Sequence, residues 1–453
     1  MWTKRMGYGY FRSSWGTNGS WGGFAGVGNY LVDHMHGIAG SFFLWRNGEY
    51  LCTEPHNYGG ETGAEIYNSL SIPNLLKNNM GGPLFYSNQF PAFLERGYVQ
   101  TSNDNSADLF YSVLNANGSY NMPFNQWDTC NGCGQPVNYY RRHFLYDGGD
   151  FVLVIDKAAL KVANYTTWRY RTQNMFQAPQ KILNNLISAP SDKGNYRSLI
   201  KIIEPKDITW SFVNETAAWN GQVQNWMIDM TMTGFEIKAN TTKKNFHLWI
   251  SVINLGKTSA PNNILDNATE IASDQMVGVF AGSSILMVAV NETLLTNGWY
   301  VTPNTTTPKT RHLIGDFNVG CYLISGSRDG KIGNFTVKNQ DNSIVFITNF
   351  AGAQNISIIP NSGNCSQSQN SNVNNSANNN SNANNNSNSN ININAVNQCA
   401  NVSCGNNSLC DNVSGSCLCK QGYSGNNCTI ADLCFGKNCS NNGLCDPTIG
   451  MLF

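Results

Sequence analysis

The 453-residue chain predicts an all-β protein: a large antiparallel β-sandwich, then an Asn/Ser-rich disordered linker, then small disulfide-rich modules. Three observations predict it. Between residues 136 and 355, short strand-like runs follow one another with turn signals between them, and no long stretch of 3.6-residue period with caps interrupts them. Residues 360–397 are dominated by Asn and Ser and contain nothing that could bury a core. Nine of the fourteen cysteines lie between Cys399 and Cys445, a density that belongs to an oxidising compartment.

Charge narrows the function classes. Lys+Arg and Asp+Glu each number 28, so the net charge is zero, which argues against a nucleic-acid-binding surface. A local basic groove remains open to Arg141, Arg142, Arg169 and Arg171. Charged residues make up 12% of the chain, well below the usual ~25%; Gly, Asn, Ser and Thr take their place, as in turn-rich or secreted β proteins. Asn164, Asn214, Asn240, Asn267, Asn291, Asn304 and Asn334 each head an Asn-x-Ser/Thr triplet, in agreement with the cysteines. Met1–Gly7 leads into Gly and aromatics with no apolar leader. A secreted composition without a leader predicts that the sequence is a fragment. The longest apolar run, Met276 to Val290, is too short to span a membrane and reads as two strands with a turn.

Taken in order, residues 1–75 read as short strands with Gly-rich turns. Phe43, Trp45 and the Glu49–Cys52 run form a hairpin across Asn47-Gly48, a strong hairpin dipeptide. Just before it lie His34 and His36, two of only six histidines. In extended backbone, residues i and i+2 share a face, so both imidazoles would project together, as a metal site or as a base beside a metal ligand. Glu54, His56 and Glu61 follow closely. Residues 76–135 are looser, with a strand at Tyr111–Leu114. Cys130-x-x-Cys133 lacks a second pair at zinc-site spacing, so it reads as a loop disulfide or as partners for Cys52 or Cys321. Beyond residue 136, strands are expected at Phe151–Ile155, Leu199–Ile203, Trp226–Met232, Phe246–Ile253 and Ser343–Ile347. Their aromatics read mostly as core. Trp168 with Arg169 and Arg171 could instead line a sugar groove, since guanidinium clamps carboxylates. His143, His247 and His312 are isolated and read as structural.

These motifs, in this order, resemble the β domain of heparinase II/III-like polysaccharide lyases, a group that includes the oligo-alginate lyases. The run from His34 through His36 to Gly40-Ser41-Phe42, Leu44, Arg46 and Gly48-Glu49 carries the resemblance. So do Phe11-Arg12-Ser13-Ser14-Trp15 before it, and Glu54–Gly59 and Tyr67–Ile72 after it. Arg142–Tyr146 and Phe151–Lys157 are similar to the family's central hairpin. The resemblance covers residues 1–358. It implies that His34 acts in catalysis and that His36, Glu54 and the position of Tyr67 bind zinc or another divalent metal. Tyr67 departs from the histidine the family has there; the alternative reading is that Glu54 and Tyr67 hydrogen-bond each other and hold the hairpins together. It implies further that Arg142 or Arg169 neutralises a substrate carboxylate. The family's cleft has a second wall, a preceding helical toroid that supplies a Tyr and an Asn or His; this sequence starts at the β domain and is expected to hold at most half of such a site.

After the linker, 359–397, residues 398–429 resemble an EGF-like module: Cys399, Cys404, Cys410, Cys417, Cys419 and Cys428, with Gly422-Tyr423-Ser424-Gly425 in the last loop. The resemblance implies the pairs Cys399–Cys410, Cys404–Cys417 and Cys419–Cys428. So small a unit depends on its disulfides. Asn397-Gln398 offers no acidic residue before the first cysteine, so no calcium is expected. Residues 430–453 start a second module that the sequence truncates.

Two functions are expected from these readings. One is a secreted lyase that cleaves an acidic, uronate-containing polysaccharide by β-elimination, this chain being its C-terminal part and inactive alone. The other is a non-catalytic extracellular glycan-binding or adhesion protein that also meets protein partners through its EGF-like modules.

Overall fold

The computed structural model describes residues 2–3, 8–14, 19–25, 40–53, 68–73, 80–81, 93–100, 109–117, 137–174, 176–214, 234–338, 342–361, 408–410, 417–419, 423–424 and 430–431. The chain divides into two units, 1–375 and 376–453.

Among the described residues the first unit is built almost wholly of antiparallel strands, as the sequence predicts, with a short 3-10 turn at Asn262–Leu265. Its centre is an eight-stranded sheet. Val137–Tyr146 and Phe151–Asn164 form a long hairpin in the middle of it, and Lys244–Lys257 and Tyr196–Glu204 continue the ladder on one side. Both faces of this sheet are covered, so the Phe151–Ile155 run needs no polar alternation and reads as continuously apolar.

Period-2 geometry sorts its side chains into two cores. Phe144, Tyr146, Val152, Val154 and Trp249 face one way. There they meet Phe11, Phe24, Phe42 and Leu44 of a five-stranded N-terminal sheet, and Leu70, Trp168, Tyr170, Ile237 and Ala239 of a second five-stranded sheet. Leu145, Leu153, Ile155, Ile250 and Val252 face the other way, against Val277, Val279, Leu286, Val288 and Leu313 of a third five-stranded sheet. That sheet in turn packs Phe280, Met287, Ile314 and Phe346 against Tyr300, Tyr322, Ile324, Ile356 and Ile358 of a four-stranded sheet. The sheets therefore stack in layers with three cores between them. Each fully buried Leu, Ile, Val or Phe contributes about 1.5–3 kcal/mol, so the layering rests on burial.

Local turn chemistry follows the sequence. Asn47 (φ 48°) and Gly48 (φ 82°) both take the left-handed conformation that a two-residue hairpin turn requires, and Arg46 pairs with Glu49 across it. The apolar run beginning at Met276 forms two strands, Met276–Ala281 and Ser284–Ala289, closed by a tight turn. Among the described strands, Ser284–Ala289 lies parallel to Thr310–Ile314, and Leu295 makes an isolated parallel bridge to Phe317. Cys52 is a buried thiol whose Sγ donates to the Phe42 carbonyl at 3.8 Å, whereas Cys321 is disulfide-bonded. Of the two partners expected for the Cys130–Cys133 segment, Cys321 alone is in a disulfide. Cys130, Cys133 and the expected strand at Trp226–Met232 lie outside the described residues.

The described residues of the second unit form two short ladders. Ser408–Cys410 pairs with Cys417–Cys419, setting Cys410 opposite Cys417, and Tyr423–Ser424 pairs with Ile430–Ala431. Each cysteine pair expected from the EGF-like resemblance has one member, Cys399, Cys404 or Cys428, outside the described residues. No helix among the described residues is long and apolar enough to cross a membrane.

Candidate functional site

His34, His36, Glu54, His56 and Tyr67 lie in segments 26–39 and 54–67, outside the described residues. What the structure gives is the ends of those segments, Gly40 and Asn68, and what ties them together. Arg142 sits on the central hairpin, on the same face as Tyr140, Phe144 and Tyr146, and is wholly buried. Its Nε and Nη2 donate to the two oxygens of Asp156, directly opposite in the ladder, at 2.5 and 2.9 Å. Its Nη1 donates to the carbonyls of Gly40 (2.5 Å) and Asn68 (2.9 Å). Tyr140 Oη adds a third bond to Asp156, at 2.9 Å. A bidentate pair of this kind is the strong form of the ion pair.

Asn68 completes the junction. Its backbone N–H donates to Ser41 Oγ at 3.1 Å, its Nδ2 to the Phe42 carbonyl at 2.7 Å, and its Oδ1 accepts the Arg171 N–H at 2.6 Å. Three separate stretches of chain are thereby fastened at one buried point. Gly40 (φ 80°) turns there with its carbonyl on the guanidinium; a Cβ on it would meet Leu114 at 3.1 Å. The expectation that Arg142 reaches out to a substrate carboxylate is corrected: a guanidinium with no solvent access that already holds Asp156 and two carbonyls is an internal clamp.

Arg169 lies elsewhere, on the second five-stranded sheet. Trp168 and Tyr170 point into the core, so Trp168 is core and not groove lining, and Arg169 and Arg171 point to the opposite face. There they meet Glu236. Arg169 and Glu236 form a close ion pair, Arg171 approaches the same carboxylate oxygen at 3.4 Å, and Lys238 Nζ reaches the other at 2.6 Å. Arg169 Nε also donates to Ser71 Oγ at 2.6 Å. Burial works against the charged form of Glu236, but the three cations outweigh it and hold its carboxyl below the ordinary value. Arg169 and Arg171 are 3% and 5% exposed and turned to Glu236, so the expectation that Arg169 reaches a substrate carboxylate is corrected as well; Lys238 is the more exposed cation of this cluster. Lys238 is the side chain of this cluster that could meet an anion from solvent.

The other histidines are internal. His143 Nδ1 bonds Tyr111 Oη at 2.9 Å; His247 Nε2 bonds the Asn164 carbonyl at 2.8 Å; His312 bridges Tyr300 Oη (2.6 Å) and Thr348 Oγ1 (2.9 Å). Burial lowers the His312 pKa to about 3. Among the described residues no group of three or more His, Cys, Asp or Glu could hold a metal ion.

Asn68, Asp156 and Glu236 were not singled out from the sequence as site residues. A signal existed for Asp156. It shares the period-2 face of Val152, Val154 and Ala158, so a carboxylate there has to be paired.

No family model and no curated protein matches the chain. Solved structures similar to it include a heparinase III with methylated lysines (14% identity, TM-score 0.42, covering 62% of this chain and 40% of that one). A heparan sulfate lyase from Pedobacter heparinus has 13% identity and a TM-score of 0.42 over 61% of this chain and 40% of that one. A further heparinase III has 15% identity and a TM-score of 0.39 over 63% and 41%. The chain thus spans about 40% of the length of the structures it matches.

Proposed function

We propose that this chain supplies the β-sandwich side of an extracellular polysaccharide lyase that cleaves a uronate polymer by β-elimination. The observation that carries the reading is the junction at Asn68. It fastens Gly40, four residues after His36, to the residue that follows Tyr67, and Asn68 accepts the backbone N–H of Arg171, on the strand that carries Arg169. The ends of the segments that carry His34, His36 and Tyr67 are therefore tied to one another and to the strand Thr167–Arg171.

β-Elimination needs a base to take the proton α to the uronate carboxylate, a cation or hydrogen-bond donor for the resulting enolate charge, and an acid for the departing oxygen. His34 would serve as the base or the acid, since imidazole titrates near neutrality. Lys238, the more exposed cation of the Glu236 cluster, would neutralise the carboxylate, with Arg169 and Arg171 holding Glu236 behind it. Arg142 would act through position, by holding the segment ends. The donor set read for a metal is His36 and Glu54, with Tyr67 in the third place. Two ordinary ligands are fewer than the three that a catalytic zinc takes, so no step is drawn through a metal.

The test is spectroscopic. Full-length protein mixed with alginate, heparan sulfate or hyaluronan should gain the ultraviolet absorbance of an unsaturated uronate, and His34→Ala should not. Wild-type protein that gains none on any of the three, and behaves like His34→Ala, removes the enzyme reading. Tyr67 in a histidine's place favours the second reading, a glycan-binding protein without catalysis; retention on a polyuronate column without absorbance gain would select it.

A further inference from the structure

The four-stranded sheet at the end of the first unit has one face in a core and one face open. Tyr300, Tyr322, Ile324, Ile356 and Ile358 point inward. By alternation, Trp299, Val301, Leu323 and Ile359 point outward, and Trp299, Val301 and Ile359 are 48%, 42% and 46% exposed. An open apolar sheet face of this kind marks something that covers it.

Two glycosylation triplets stand on the same outer face. Asn334-Phe335-Thr336 lies on the edge strand Gly330–Val337, with Phe335 packed against the core and Val337 within it, so Asn334 and Thr336 face out. Asn355-Ile356-Ser357 lies on the strand Asn355–Pro360, with Ile356 buried and Asn355 exposed. The register puts Asn355 beside Val301, Ser357 beside Trp299, and Asn334 beside Leu323, which in turn pairs with Ile359. Ile359 is thus about 10 Å from Asn334, two inter-strand spacings. Asn334 accepts from Asn361 Nδ2 at Oδ1 (3.2 Å), a contact at the carbonyl end of its amide and not at Nδ2. Two other triplets contrast with these. In Asn164-Tyr165-Thr166 and Asn240-Thr241-Thr242 the asparagine Oδ1 serves the fold, accepting from the Tyr165 N–H and from Thr167 Oγ1, and Thr166 is buried.

We infer that Asn334 and Asn355 carry N-linked glycans whose first sugar rings lie on Trp299, Val301, Leu323 and Ile359 and cover this sheet face. The apolar CH faces of the sugars meet the apolar side chains, and their hydroxyls turn to water. In the transfer, Nδ2 attacks C1 of the first sugar of a lipid-linked oligosaccharide. An N–C bond forms, the C1–O bond to the lipid pyrophosphate breaks, Nδ2 loses a proton, and the lipid pyrophosphate leaves. The inference rests on the extracellular reading and not on lyase activity.

The full chain, secreted from insect cells behind a signal sequence, is digested with an N-glycan amidase in heavy-oxygen water and mapped by mass spectrometry. Both Asn334 and Asn355 are expected to appear as heavy-oxygen aspartate. Thr336→Ala and Ser357→Ala keep each asparagine but remove the hydroxyl that transfer requires, and each should lose one glycan. The double variant should bind several-fold more of an apolar fluorescent dye than wild type, or self-associate on light scattering. Secreted protein with either asparagine unmodified overturns the inference. So does a double variant that matches wild type in both dye binding and size, which would leave the glycans attached but not covering the face. Protein that reaches no secretory compartment overturns both the inference and the extracellular reading, whereas secreted but unmodified protein leaves the latter standing.

Discussion

The central hairpin carries a buried ion cluster on each of its faces, and the two are built differently. On one face Arg142 and Asp156 form a balanced bidentate pair whose remaining donor holds Gly40 and Asn68. On the other, one carboxylate, Asp316, faces several cations. Lys157 Nζ lies 2.8 Å from it, His143 Nε2 3.4 Å and Arg141 Nη1 3.6 Å. Lys157 also donates to the Ala289 carbonyl at 2.8 Å, so this cluster ties the central sheet to the third sheet. Burial opposes the charge on Asp316, but His143, Lys157 and Arg141 outweigh it and hold the carboxyl far below its ordinary range. The first cluster orders segment ends next to the candidate site; the second joins two layers. A balanced pair can be exchanged as a unit, whereas a carboxylate shared by several cations cannot.

Two substitutions test that difference, and the larger effect is on the shared carboxylate. Asp316→Asn keeps the shape of the side chain and tolerates the left-handed backbone there (φ 63°), but removes the carboxylate charge that buried Lys157 meets at 2.8 Å. A loss of about 3–5 kcal/mol is expected in urea unfolding. Arg142→Met should cost about as much, since it strands Asp156, yet adding Asp156→Leu should return most of it, because an apolar exchange of a whole buried pair is near neutral. The double variant should still lose elimination activity, the Gly40 and Asn68 carbonyls having lost their donor. A double variant no more stable than Arg142→Met would show that the pair is not separable from its face.

The third effect is a slope. The depressed pKa of His312 means that the folded protein keeps this ring neutral down to about pH 3, while the unfolded chain protonates it near 6.5. Stability from this group is therefore complete above pH 6.5 and is lost as pH falls from there toward 3, at up to about 1.4 kcal/mol per pH unit. His312→Gln should flatten the dependence of unfolding free energy on pH between 6.5 and 4. A wild-type curve parallel to that of the variant would remove the assignment.

The same contrast explains what could be read in advance. Strands, turns and the all-β class were legible because period-2 alternation and dipeptides such as Asn47-Gly48 are local signals. The apolar run from Met276 gave its two strands for the same reason. The role of Arg142 was less legible. A sheet covered on both faces hides which of its polar residues are inside, and Arg142 matters through Gly40 and Asn68, 102 and 74 residues away in sequence. Asp316 carried no local signal, since its partners Arg141, His143 and Lys157 come together only when two sheets stack. Arg169 was chosen for its charge, but its dependence on Glu236 comes from the pairing of Thr167–Arg171 with Phe235–Asn240.

The smallest effect belongs to the cationic face. Lys238 is one of three cations on Glu236 and the most exposed of them, so Lys238→Met leaves Arg169 and Arg171 on the carboxylate and should cost less stability than either substitution above. If the face binds a sugar acid, the same change should weaken polyuronate binding by about threefold to tenfold at low salt, and less at high salt as screening takes over. Lys331→Met, an equal loss of charge on the far four-stranded sheet, is the control and should leave affinity unchanged. Titration calorimetry at two salt concentrations separates the outcomes. Equal weakening by both variants would mean that general charge attracts the polymer. Weakening by Lys238→Met alone would mean that the sheet bearing Arg169 and Arg171, joined through Asn68 to the ends of the His34 and Tyr67 segments, is where the polymer lies.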